Sequence, residues 1–445
     1  SGLDQGLQGR AATAVLEHPN PNVQDQMARN PLLLTILAQV FKGDPEAGLP
    51  ARRTELYRRA TQAVFRQREA AWGRLTEALG GDDQVKILTR VTAYVAFHLH
   101  ANPDYPAALV DAWQVRSWMR AAVREEEALR SGRRESDVVD ALLAAESRLS
   151  GFFVARVENA YGFLHRQFKY YFAASHLVGQ MVFKGRRTTT PLLGYLNDPN
   201  WREVLLLAVG ILEAAAEGKL RDVGLTAPPR AVQEALTAVL DNDDPTGGLL
   251  PHNLLFAADA LAELARPPAE IVYRVAAGLI QAYRRDNESR FTVLKERVER
   301  AFAALPRSID HSDLVGKALC NALTKTPPGD AGRFTRLAAA ELIIKYEWHT
   351  PEVARALSKA WQSYLEPAGT LLLALQSAYD HDPHLFSARN SRFRRAVERE
   401  EELWDAVKTN PHWKIVVRAL YLAPWADLEK EAMVRDSPLT EDLLS

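Results

Sequence analysis

Turn-forming residues interrupt this sequence at short and fairly even intervals, and this spacing constrains the fold more than any other feature. Beyond residue 190, stretches of roughly 12 to 18 residues with helical patterning are separated by breaks that contain Pro, Gly or Asp. The breaks lie at 227–229, 244–248, 266–268, 305–306, 326–329, 350–351, 366–367 and 382–383. Because the segments between the breaks have helical rather than alternating patterning, the sequence predicts a mainly α protein.

The period of these helices predicts how they are arranged. Two helices in about every 40 residues is the period of HEAT-like solenoids. Apolar stripes occur in two of the segments, at Leu254, Ala258, Leu261 and Ala265, and at Leu337, Ala340, Leu342 and Ile344. No residue signature repeats strongly, so the likeness is one of period alone. We expect an irregular HEAT-like α-solenoid over residues 226–445, and a compact helical bundle is the alternative.

One segment in the first half is rich in β-forming residues. Residues 151–157 read Gly-Phe-Phe-Val-Ala-Arg-Val, 158–160 can turn, and 161–164 can form a return strand. Apolar residues then continue at helical spacing from Phe168. Three helices are predicted before the hairpin, from residue 84 onward. A hairpin that runs directly into a helix predicts the wing of a winged-helix domain, which we assign to residues 49–185, between helical domains at 1–48 and 186–225.

Composition limits the classes of function. The chain has 445 residues and a formal net charge of −1, so we expect no overall attraction to nucleic acid or anionic membranes. A single cysteine, Cys320, excludes an internal disulfide framework and a cysteine-based zinc site, which fits a cytoplasmic setting. The longest apolar stretch, 204–212, is too short to span a bilayer. The start at Ser1-Gly2 rather than Met suggests a piece of a longer protein.

Five short patterns, taken together and in order, resemble the distal half of a NACHT-type signalling NTPase of the STAND class, which includes NOD-like receptors and bacterial anti-phage proteins. Singly each pattern is weak, but the ordered set over about residues 25–215 is fairly specific. The patterns are Asn30-Pro-Leu-Leu-Leu-Thr35, Leu49-Pro-Ala-Arg-Arg-Thr-Glu-Leu-Tyr57, the hairpin from Leu149 to Tyr161, Phe163-Leu-His-Arg-Gln-Phe168 with Tyr171-Phe-Ala-Ala174, and Asp198-Pro-Asn-Trp-Arg-Glu-Val-Leu-Leu206.

The resemblance implies nucleotide-binding roles for two residues. Pro31 matches the proline that packs on adenine in the ADP-bound state, and His165 matches the winged-helix histidine that contacts the β-phosphate of ADP. An imidazole can donate to phosphate and gains from doing so when it is protonated. Without the resemblance, Pro31 is read as the first residue of a helix and His165 as a half-buried histidine at a strand end.

The sequence also departs from the family pattern. The family usually has Ser or Thr followed by Phe-Gln-Glu-Tyr after the histidine, whereas residues 167–171 here are Gln-Phe-Lys-Tyr-Tyr, so Tyr170 stands at the acidic position. No G-x-x-x-x-G-K-[ST] phosphate loop occurs, and no apolar strand ends in paired carboxylates. We therefore expect no catalytic residues, no metal site and no enzymatic activity in this chain alone. ADP or ATP with Mg would be cofactors of a longer parent protein.

The resemblance implies the regulatory and sensing portion of a switch protein, plausibly of bacterial innate immunity. A protein ligand or pathogen-derived trigger would bind the helical array, and upstream nucleotide-binding and effector domains would respond, with oligomerisation possible on activation. One alternative is a free-standing α-solenoid adaptor. A third reading is a winged-helix DNA-binding regulator.

The remaining candidates favour simpler interpretations. Arginines recur on one helix face at Arg116, Arg120 and Arg124, which could contact DNA, although 125–127 is a run of glutamates and a solvated face explains the pattern better. Two histidine pairs have spacings seen in metal sites, His98 with His100 and His381 with His384. No third ligand accompanies either pair, so polar helix ends are the better interpretation.

Overall fold

The computed structural model describes the protein over residues 52–68, 84–102, 109–125, 134–145, 152–157, 159–182, 188–244, 251–286, 292–306, 313–327, 330–348 and 350–363. The chain divides into two compact units. The first comprises residues up to 243 together with 263–266, and the second comprises 244–262 with the residues from 267 onward. The four predicted domains stay predictions, and the first of them, 1–48, lies outside the described residues.

The first unit is built mainly from helices. They are α1 (Arg53–Arg68), α2 (Gln84–Ala101), α3 (Ala112–Glu125), α4 (Glu135–Ala145), α5 (Arg166–Val182), α6 (Thr190–Gly194), α7 (Arg202–Ala216) and α8 (Ala231–Asp241), with 3₁₀ turns at Pro199–Trp201 and Arg221–Val223. Helix α5 is central and packs against α2 on one side and α7 on another. The apolar stretch 204–212 lies within α7 and is buried throughout, so it forms core.

A small antiparallel sheet completes this unit. Its strands β1 (Leu109–Asp111), β2 (Phe153–Val157) and β3 (Ala160–Phe163) lie in the order β1-β3-β2. Strands β2 and β3 form the predicted hairpin, and the helix predicted to follow it is α5. Strand β1 was not predicted, because three residues carry too little pattern to mark a strand. It pairs with the free edge of β3, with Leu109 opposite Gly162 and Asp111 opposite Ala160.

The described second unit contains helices only. They are α9 (His252–Glu263, whose last residue belongs to the first unit), α10 (Ala269–Asp286), α11 (Thr292–Ala303), α12 (Leu314–Thr324), α13 (Asp330–Lys345) and α14 (Pro351–Ser363). Alternate helices stack, α10 on α12 and α12 on α14, and α11 and α13 each pack against α10. Side chains from α11 and from the end of α13 also meet, where the ring of Phe302 contacts those of Tyr346 and Trp348.

The two predicted apolar stripes coincide with helices, but only some of their residues are buried. Ala258 and Leu261 are buried, whereas Ala265 is exposed and lies beyond the end of α9. In α13, Ala340 and Leu342 are buried, and Leu337 and Ile344 are half-buried. The prediction of a mainly helical protein with one small hairpin is confirmed. Among the described helices, none combines the length and apolar character needed to cross a membrane.

Candidate functional site

His165 lies in the two-residue connection between β3 and α5, and backbone hydrogen bonds fix this connection on both sides. The amide of Leu164 donates to the carbonyl of Phe152 at 2.8 Å, which continues the hairpin. The carbonyl of His165 accepts from the amides of Phe168 at 3.2 Å and Lys169 at 3.4 Å, which begins α5. The imidazole is half-buried, so part of it can reach a group outside this unit.

The surroundings of His165 are basic. Burial, and then the positive charge of the adjacent Arg166, lower the pKa of the imidazole, so it is neutral at pH 7. Arg156 in β2 donates from Nη2 to the carbonyl oxygens of Phe163 at 3.2 Å and Leu164 at 2.9 Å. Among the described residues, neither arginine forms an ion pair with a carboxylate. An anion next to His165 would therefore meet positive charge and would raise the pKa of the imidazole.

A buried arginine joins two sequence patterns in the first unit. Arg53, at the start of α1, is 8% exposed. Its Nη1 lies 3.0 Å from a carboxylate oxygen of Glu203 at the start of α7, and its Nε lies 3.1 Å from one of Glu263. Burial lowers the pKa of the guanidinium, but the two carboxylates outweigh it and the net shift is upward. The carboxylates therefore compensate the buried charge.

An aromatic cluster extends from the same helix. The ring of Tyr57 packs edge-on against Phe168 at 5.6 Å and tilted against Tyr171 at 5.9 Å. Phe152, just before β2, contacts Phe168 at 4.5 Å and Phe65 at 5.6 Å. Burial raises the pKa of the Tyr57 hydroxyl to about 12, so this group stays neutral. The cluster holds α1, the hairpin and α5 together one turn from His165.

The predicted patterns therefore meet in space. Residues from the second pattern (Arg53 and Tyr57), the hairpin (Phe152), the histidine segment (Phe168) and the fifth pattern (Glu203) all belong to this one connected set of contacts. They span about 150 residues of sequence, from Arg53 to Glu203. These four patterns thus contribute to one connected set of contacts, which includes Phe168, three residues after His165.

Tyr170, the departure from the family pattern, has a packing role. Its ring lies 5.3 Å from that of His100 at the end of α2, and the Nζ of Lys169 lies 5.5 Å from the ring centre. The His100 ring also contacts Trp201 at 4.6 Å, and its Nε2 is 3.2 Å from the carbonyl oxygen of Asn200. Aromatic packing thus stands where a carboxylate would stand in the family.

The second predicted nucleotide-binding residue, Pro31, lies outside the described residues. The role of Pro31 and its position relative to His165 therefore stay predictions. His381 and His384 also lie outside the described residues.

The arginine face of α3 is partly neutralised by the neighbouring helix. Arg116 forms an ion pair with Asp140, and Arg124 lies 3.0 Å from Glu135, both in α4. Arg120 is exposed between them. Because α4 places carboxylates beside the arginines, this surface carries charges of both signs. Such a surface is typical of a solvated helix face, whereas a surface that binds the phosphates of DNA is mainly positive.

The histidines of α2 pack among rings. His98 lies 4.3 Å from the ring of Tyr94, stacks on Trp118 at 6.0 Å, and lies 6.2 Å from His176 of α5. Burial lowers the pKa of His98, and it lowers that of His176 to about 4. Over the described residues, no group of three His, Cys, Asp or Glu side chains could hold a metal. The candidate role of His98 and His100 is thus structural.

The single cysteine is also part of the packing. Cys320 in α12 is half-buried, and burial raises the pKa of its thiol to about 11. A thiol with so high a pKa is a poor nucleophile at neutral pH.

Two partners in this region could not be found from the sequence. Glu263 pairs with Arg53 across 210 residues, and His176 packs beside His98 from another helix. Neither residue belongs to a recognisable pattern. The only available signal was that Arg53 sits on the apolar side of α1, where a buried arginine requires an acidic partner.

The chain was compared with known proteins in three ways. No protein-family model matches it, and no curated protein or solved structure matches it either. The resemblance to NACHT-type proteins therefore stays a prediction from sequence, as do the expectations about catalysis, cofactors, partners and cytoplasmic location.

Proposed function

We propose that this chain is the regulatory and sensing portion of a NACHT-type signalling NTPase of the STAND class. In this proposal the first unit carries the winged helix, and His165 contacts the β-phosphate of ADP bound by an upstream domain. The helical array binds a protein ligand or pathogen-derived trigger, and the response releases an effector. The family resemblance supplies the activity, and the packing described above supports it.

The single observation that carries the proposal is the meeting of four of the five patterns beside His165. Arg53, Phe168 and Glu203 come from three of the patterns and belong to one set of contacts, as the proposal requires of neighbouring parts of one switch. The element order of the first unit, helix, strand, two helices and hairpin, is also the order of a winged helix. The basic and half-buried setting of His165 suits a contact with phosphate.

The stacking of alternate helices in the second unit supports the HEAT-like part of the proposal. Helices α10, α12 and α14 form one row, and α11 and α13 pack beside it. Stacked helix pairs present an extended surface that suits a protein ligand. The same observation favours the second candidate function, a free-standing α-solenoid adaptor. The two candidates differ in whether a nucleotide-binding domain accompanies the chain.

The gene provides the first test. The proposal requires a phosphate-loop domain, encoded upstream of Ser1 in the same reading frame or as a separate partner chain. A gene neighbourhood without any such domain would leave the adaptor as the better explanation.

The second test uses the full-length protein. A charge-assisted hydrogen bond to phosphate contributes about 1.5–3 kcal/mol, so His165→Ala should speed ADP release roughly ten- to a hundred-fold. It should also raise signalling without the trigger. His252→Ala is the matched control, because His252 is an exposed histidine in the second unit. ADP release and basal signalling both unchanged in His165→Ala, at normal thermal stability, would contradict the proposal.

The DNA-binding alternative is tested separately. Because Arg116 and Arg124 are paired with carboxylates of α4, we expect no sequence-specific complex at physiological salt. A specific complex that is lost on Arg120→Ala would favour the DNA-binding reading instead.

A further inference from the structure

The β2–β3 hairpin contains one irregularity, and it lies at Arg156. Ala155 is opposite Tyr161 and Val157 is opposite Ala160, so β2 has one residue more than β3 at this point. Arg156 is that extra residue. A β-bulge re-aims the side chain it carries, and bulges recur beside functional sites.

The bulge directs the Arg156 side chain along the hairpin to the connection that carries His165. Its Nη2 reaches two successive carbonyl oxygens, that of Phe163 at 3.2 Å and that of Leu164 at 2.9 Å. These are the last two peptide groups before His165. The Arg156 side chain is exposed and can be solvated by water. Its contacts with the two carbonyls are therefore not explained by the need to pair a buried charge.

Arg156 acts between the end of the hairpin and the start of α5. Strand pairing with β2 ends at Phe163, and the next contact is the amide of Leu164 with Phe152. Helix α5 begins only at Arg166. The carbonyl of His165 accepts from amides of α5, whereas the carbonyls of Phe163 and Leu164 accept from Arg156, whose planar guanidinium is a rigid donor.

We propose that Arg156 is a positioning residue for His165: it holds the carbonyls of Phe163 and Leu164 and thereby fixes the backbone that presents the imidazole to a phosphate group. The functional part of this inference rests on the proposed function, whereas the positioning part concerns only the chain described here.

The positioning part is tested on the 445-residue chain by NMR. With ¹⁵N-histidine labelling, His165→Gln identifies the His165 amide among the 11 histidines. In the unmodified chain its order parameter should be that of a rigid backbone, about 0.85, and in Arg156→Ala it should fall below about 0.6. Arg156→Lys, which keeps the charge but not the planar fork, should lie between them.

Arg166→Ala is the matched control, because it removes a neighbouring positive charge without touching the carbonyl contacts. It should leave the His165 amide rigid while raising the pKa of the imidazole, since Arg166 lowers that pKa. A His165 amide that stays rigid in Arg156→Ala, at unchanged thermal stability, would overturn the inference.

The functional part is tested by a double-mutant cycle in the full-length protein. Arg156→Ala should speed ADP release about tenfold when His165 is present and have little effect in the His165→Ala background, because one residue acts through the other. Additive effects would overturn the functional part even if His165→Ala alone behaves as proposed. If His165→Ala alone has no effect, the proposed function fails, and the NMR result decides whether Arg156 positions His165.

Discussion

At the scale of single residues, the packing of α1 against α7 depends on Gly210 and Arg53. Gly210 in α7 faces α1 so closely that a Cβ there would lie 2.3 Å from the Oγ1 of Thr54. No real pair of these atoms comes that close, so only glycine fits without movement. The close approach also brings the start of α7 within reach of Arg53.

Gly210→Ala should destabilise the first unit by about 1–3 kcal/mol, because the added methyl group forces Thr54 or the helix to move. Gly194→Ala is the matched control, since nothing lies within 4 Å of a Cβ at that position. It should be neutral or slightly stabilising. Chemical denaturation of both variants measures the difference, and equal midpoints would show that the α1–α7 contact accommodates a methyl group.

Arg53 is the second residue on which this contact depends. Arg53→Ala leaves Glu263, whose side chain is 13% exposed, without its guanidinium partner, and should cost about 3–5 kcal/mol. Arg355→Ala removes an arginine from an ion pair in which both side chains are more than half exposed, and should cost less than about 1 kcal/mol. Urea denaturation measures the free energy of unfolding of both variants. Similar decreases in the two would indicate that the ion pair of Arg53 stabilises the fold no more than an exposed pair.

At the scale of elements, the packing of α2 against α5 buries histidines that must stay neutral. Burial is the main cause that lowers the pKa of His100 and of His176 to about 4 in the folded protein, against 6.5 when unfolded. Between those pH values the unfolded chain binds more protons. The free energy of unfolding therefore rises with pH from about 4 to 6.5, and stability is lost as the pH falls through that window.

The melting temperature should accordingly fall between pH 6.5 and 4.5, with each histidine contributing on the order of 1–3 kcal/mol at the acid end. His176→Phe keeps a ring beside Phe97 and Tyr94 but cannot be protonated, so its melting temperature should depend less on pH. His252→Phe makes the same substitution at an exposed position and is the control for the added phenyl ring. Parallel pH profiles for His176→Phe and the unmodified chain would show that another group is responsible.

At the scale of the whole molecule, the proposed function separates contact with a nucleotide from its hydrolysis. The sequence contains no phosphate loop, and Arg156 and Arg166 place positive charge near the connection that carries His165. A contact of this kind can report on a nucleotide that another domain binds, which is how a regulatory portion would work.

The purified 445-residue chain should therefore hydrolyse no ATP above a matched blank, because the phosphate cradle that positions Mg²⁺ and the γ-phosphate is missing. Steady-state phosphate release measures this. Turnover that follows the chain through purification and disappears on heat unfolding would contradict the regulatory reading.

The sequence by itself determined the elements of the described chain. Helical periodicity between Pro- and Gly-containing breaks predicted the helices, and the β-forming run at 151–157 predicted the hairpin and the helix after it. These features are local: backbone preference and apolar spacing within a few residues suffice to specify them. The position of His165 between hairpin and helix followed directly from them.

Only the tertiary structure decided which residues act together. Strand β1 exists because β3 offers a free edge, and its three residues would not form a strand alone. Glu263 holds Arg53 from 210 residues away, and α4 pairs with two of the arginines of α3. The bulge that turns Arg156 toward His165 depends on the pairing register of two strands. Such long-range pairings leave no periodic trace in the sequence, because burial and charge complementarity are satisfied only once the chain has folded.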